Sequence, residues 1–92
     1  MSRTVKSRIS GRVQGVGFRA WVHREATRRG LNGWVRNRTD GTVEALFSGP
    51  NETVIDMMMA CYLGPPASKV REVVSDPAAE PPDEGFVIRE TA

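Results

Sequence analysis

A chain of 92 residues that is 39% hydrophobic and 26% charged has apolar matter for one core, too little for two, and too much for an unstructured polymer. Its single Cys excludes an internal disulfide and fits a reducing cytoplasm, and its longest apolar run, Met57 to Leu63, falls far short of the ~20 residues that cross a bilayer. Charge is divided by position: Met1 to Arg38 holds ten Lys or Arg against the single acid Glu25, Thr39 to Ala92 holds three against ten, and the net is +2. A basic first half draws small anions and, as a second class of partner, nucleic acid. The basic residues Arg3, Lys6, Arg8 and Arg12 also break up any apolar leader.

In chain order, Val5, Ser7, Ile9, Gly11 and Val13 alternate with Lys6, Arg8, Ser10 and Arg12, which predicts a first strand with one buried face. The stretch Gly11 to Arg19, GRVQGVGFR, then passes two glycines into a helix. Gly15 and Gly17 either make a tight turn or let successive backbone N–H groups converge on an anion, aided by the start of the helix and the Arg19 fork. Phe18, Trp21, Val22 and Ala26 form the apolar stripe of that helix, from about Arg19 to Arg29, with Gly30 as its left-handed end.

Leu31 to Arg38 and Thr42 to Ser48 flank Thr39-Asp40-Gly41, a hairpin signal. Gly49-Pro50-Asn51 opens a second helix, with Val54, Met57, Met58, Cys61 and Tyr62 on its apolar face and Gly64-Pro65-Pro66 at its end. All of Met57, Met58 and Met59 are assigned to packing. Lys69 to Ser75 is a fourth strand, Asp76 to Glu84 a surface loop, and Gly85 to Arg89 a short last strand. The order β-α-β-β-α-β plus that last strand predicts an α+β, ferredoxin-like split β-α-β sandwich. Its antiparallel sheet carries both helices on one face, and residues 1–92 make a single monomeric domain.

Few residue types are left for chemistry. Cys61 falls in an apolar stripe, His23 lies on the other helix one turn after Arg19, and no His, Cys or carboxylate cluster has metal spacing, so neither metal nor cofactor is expected. No Gly-Lys-Ser or Gly-Lys-Thr follows the glycines, which removes the nucleotide-binding P-loop. Asn37, counted in twos, shares the face of Leu31, Gly33 and Val35. A polar amide thus ends a face committed to the core, serving either the turn or a site.

The run GRVQGVGFR, followed by Gly30 to Asn37 (GLNGWVRN) and Asp40-Gly41-Thr42-Val43-Glu44, resembles the two signature regions of the acylphosphatases in order and separation. The resemblance extends through Gly64-Pro65 to Gly85-Phe86. It implies hydrolysis of small acyl phosphates, such as 1,3-bisphosphoglycerate or carbamoyl phosphate, to a carboxylate and phosphate. It also implies phosphoryl binding by the amides of Gln14, Gly15, Val16, Gly17, Phe18 and Arg19 and by the Arg19 guanidinium, with inorganic phosphate or sulfate as a site ligand. Asn37 would orient the attacking water. An RNA-binding module is the rival class, because Trp34 shares a face with Arg36 and Arg38, although the aromatic-rich RNP1 pattern is absent. A domain that binds phosphate without turnover, or a piece of a larger maturation protein, is the other rival.

Overall fold

A computed structural model describes residues 1–92. The strands are β1 (Ser2–Arg12), β2 (Asn32–Asn37), β3 (Val43–Pro50), β4 (Lys69–Pro77) and β5 (Phe86–Ile88), and the helices are α1 (Phe18–Arg28) and α2 (Asn51–Leu63). One sheet runs in the order β4-β1-β3-β2-β5. Because β3 lies between β1 and β2 and pairs antiparallel with both, the first βαβ unit is split, as the element order predicts. Helix α1 packs over β2 and β5, and α2 over β4 and β1. The core between helices and sheet includes Ile9, Phe18, Val22, Val35, Phe47 and Met57.

The sheet is mixed, which corrects the antiparallel expectation. β5 pairs parallel with β2, with Gly33 opposite Phe86 and Val35 opposite Ile88. The cause is the segment after β4. It leaves at the end where Val5 meets Pro77, crosses the face that bears no helix, and enters β5 beside the start of β2. The only direction left for β5 is that of β2.

That crossing segment is the expected surface loop from Ala78 onward, but it is pinned to the sheet. Asp76 and Pro77 extend β4. Glu80 then pairs with Lys6 at 3.0 Å and accepts the indole N–H of Trp34 at 2.9 Å. Trp34 is 1% exposed, with the Arg36 and Arg89 guanidinium groups each 4.7 Å from its ring centre. Paired cations over an aromatic face and a satisfied indole N–H account for a buried Trp on the open side of the sheet. No aromatic platform is presented there to a nucleic-acid base.

α1 ends in a Schellman motif, with Leu31 N–H donating to the Ala26 carbonyl and Gly30 N–H to that of Thr27, both at 3.0 Å. In α2, Val54, Met57 and Cys61 are buried, but Met59 and Tyr62 are exposed, against the packing role read for both. The stripe is narrower than the run of apolar residues. Its excess side chains face outward, and the Tyr62 hydroxyl donates to the Val73 carbonyl at 3.3 Å.

Candidate active site

Between β1 and α1 the backbone turns twice through left-handed conformations, at Gly15 (φ 73°) and Gly17 (φ 78°). A Cβ at either position would meet nothing within 4 Å. Backbone angle alone therefore demands glycine here, and the space over the loop is open to a ligand.

Gly17 caps α1 with no side-chain hydrogen bond, and the first turn contains no acid. The first bond along the helix runs from Trp21 N–H to the Gly17 carbonyl at 3.0 Å. The N–H groups of Phe18, Arg19 and Ala20 are left free at the positive end of the helix dipole. Arg19, half-buried, takes part in none of the chain's ion pairs.

A cleft of about 280 Å³ opens beside this turn, lined by Gly15, Gly17, Arg19 and Ala20, by Asn37 from β2 and by Ile88 from β5. Buried Val13 and Phe18 form its floor. Arg19 and Asn37, from separate signature blocks, thus share one cavity. The two-residue period also holds, since Gly33 and Val35 are buried and Asn37 comes out at the rim of the same face. Its backbone carbonyl accepts from Ala92 N–H at 3.0 Å, and its side-chain amide, unlike those of Gln14 and Asn32, makes no hydrogen bond within the protein.

Two residues of the loop, read for their backbone amides alone, have side chains engaged elsewhere. Gln14 turns its side chain away from the cleft and donates from Nε2 to the carbonyls of Arg38 and Thr42, each at 2.8 Å. Val16 is half-buried and packs against the core. The sequence pattern did not single out the Gln14 brace, whose partners lie 24 and 28 residues away, or the wall formed by Ile88. Gly85-Phe86 was the only signal near the latter.

The acylphosphatase family model matches residues 5–88. The chain belongs to the acylphosphatase family. An acylphosphatase of Bradyrhizobium diazoefficiens is 57% identical over 79 residues, covering 85% of this chain and 80% of that protein. Among solved structures, an acylphosphatase from Coxiella burnetii superposes with a TM-score of 0.91 at 30% identity, covering 96% of this chain and 93% of that one. The acylphosphatase from Bacillus subtilis gives 0.89 at 39% identity, covering 97% and 99%. The protein is accordingly an enzyme that hydrolyses acyl phosphates.

The other titratable groups stand apart from this cleft. Cys61 is 0% exposed, and burial pushes its thiol up to about 12, which removes it as a nucleophile at neutral pH. The His23 ring packs 6.3 Å from that of Phe86 and does not line the cleft. No group of three or more His, Cys, Asp or Glu is arranged to hold a metal ion.

Proposed function

We propose that the glycine loop and Arg19 hold the phosphoryl group while Asn37 holds the water that attacks it. The observation that carries this division is the common cleft of Arg19 and Asn37, one with an unpaired guanidinium and the other with an unbonded amide. Free N–H groups from Gly15 to Ala20 and the planar Arg19 fork spread the charge of the phosphoryl oxygens over fixed donors. The Asn37 amide offers one donor and one acceptor, enough to orient a water in line with the scissile P–O bond.

An acyl phosphate suits such a site. Its leaving group is a carboxylate, stable without protonation, so the absence of an acid residue from the cleft costs little. Water adds to phosphorus, the P–O bond to the acyl group breaks, and the water's proton passes to solvent or to the phosphate formed. Neither a covalent enzyme intermediate nor a cofactor enters, and inorganic phosphate is both product and site ligand.

Asn37→Ala is the test, assayed on benzoyl phosphate beside phosphate inhibition. A fall in kcat on the order of 10²-fold is expected, with phosphate inhibition changed by less than about threefold, because the amide acts on water rather than on the anion. Near-normal kcat would return Asn37 to a turn-forming role.

A further inference from the structure

The cleft has more lining than phosphate and water require. Gly15, Gly17 and Arg19 face the phosphoryl group and Asn37 the water, while Val13 and Phe18 are each 1% exposed and offer a ligand almost no surface. Ala20 and Ile88 remain. Ile88 is the one large apolar side chain of the cleft that stands open, at 48% exposure.

The parallel edge strand explains its position. Phe86 turns toward the helices and stacks on Phe47 at 5.7 Å between ring centres. Two residues on, Ile88 points to the same face, beyond the stretch of α1 that covers Phe86, and meets the cleft instead. Its register partner is Val35, two residues before Asn37, so β5 delivers an aliphatic side chain beside the catalytic end of β2. An antiparallel β5 would have carried it to the far end.

In-line attack sends the leaving oxygen away from the water, and the bond angle at that oxygen bends the acyl group sideways out of the axis. We propose that Ile88 is the side wall against which this acyl group packs, making it a specificity residue for acyl phosphates with an apolar acyl chain. The inference rests on the placement of phosphoryl and water given above. Ala20, which also lines the cleft, is small and leaves room for a ring or a short chain.

The experiment measures kcat/KM for benzoyl phosphate and acetyl phosphate in wild type and in Ile88→Thr, which keeps the branched shape suited to a strand. The benzoyl-to-acetyl ratio should fall by roughly 10-fold, the low end for apolar contacts because the wall is half open. An unchanged ratio, including an equal loss on both substrates, would overturn the assignment. In wild type alone, acetyl, butyryl and hexanoyl phosphates should show kcat/KM rising with chain length, and a flat series would overturn it even if the variant did not fold. Failure of the Arg19 and Asn37 reading is registered separately, as unimpaired turnover by Asn37→Ala on a single substrate.

Discussion

Gln14 donates from its side-chain amide to the Arg38 carbonyl at 2.8 Å, tying the glycine loop to the residue that follows Asn37. A second bond of equal length reaches the carbonyl of Thr42 across the hairpin. The glycine loop and the hairpin beside Asn37 are thereby braced against each other, although they come from different elements. Relative position is worth much in such a reaction, since an error near 1 Å costs about 10²-fold.

Gln14→Ala should therefore lower kcat on the order of 10-fold or more while removing no side chain that touches the substrate. Gln14→Glu should be worse, because a carboxylate facing two carbonyls repels both. Steady-state kinetics with a melting curve for each variant checks this. A stability loss of about 1–3 kcal/mol, from two hydrogen bonds each worth about 0.5–1.5, should accompany the alanine variant. Unimpaired kcat in a destabilised protein would make the brace purely structural.

Arg19→Lys should fail as a replacement, since an ammonium is a point charge and cannot span two phosphoryl oxygens with a planar fork. Both kcat and phosphate affinity should drop. In wild type, phosphate at a hundred times its Kd should stabilise the fold by about 2.7 kcal/mol. In a domain of this size each kcal/mol is roughly 4–8 °C in Tm. The saturable part of that rise should vanish in Arg19→Ala, leaving only the general salting effect.

Acid should loosen the segment that crosses the open face of the sheet. Hydrogen bonds from Lys6 and then Trp34 hold the Glu80 carboxyl below the usual glutamate range. With the folded value below the unfolded one, the stabilisation is complete above about pH 4.3, where unfolded Glu titrates, and is lost as pH falls through the lower folded value. Glu25, held down by Arg28 and Arg29, adds a loss of the same sign. Glu80→Ala should cost about 1 kcal/mol at neutral pH by leaving a buried indole N–H unpaired, and should flatten this part of the acid profile. Glu80→Gln, which keeps an acceptor for Trp34, should cost less. Tm against pH, with tryptophan emission as a second readout, decides the matter.

Chelation and alkylation should spare activity. Cys61 is buried with its thiol pushed up to about 12, so iodoacetamide should label it only on unfolding, and turnover should persist throughout. EDTA should leave kcat unchanged. A loss in EDTA that added divalent metal restores would refute the cofactor-free mechanism.

Local patterns carried most of the fold. Alternation along β1, the stripe of α1 and the Asp-Gly turn each act within a few residues, and each matched the structure. Asn37 stood out for the same reason, as a polar residue at the end of an otherwise apolar face, but the pattern left both a turn and a site open and only the family resemblance implied a role for it. What escaped depends on distant partners. Glu80 reads as one acid in a proline-rich run until Trp34, 46 residues away, gives it a hydrogen bond. The direction of β5 is set by where the preceding segment leaves β4, and the Gln14 side chain by where the hairpin falls. Met59 was misplaced because three consecutive methionines cannot all face one side of a helix, and Tyr62 because the buried stripe is narrower than the apolar run.

The position of β5 also bears on biosynthesis. During translation α1, β2, β3 and α2 leave the ribosome well before Phe86–Ile88, so β2 waits with one row of backbone N–H and C=O groups unpaired. An open strand edge is a template for another chain, and crowded polysomes supply neighbours at the same stage. The nascent protein thus exposes, along the strand that carries Asn37, an edge that three late residues cover when they dock against it.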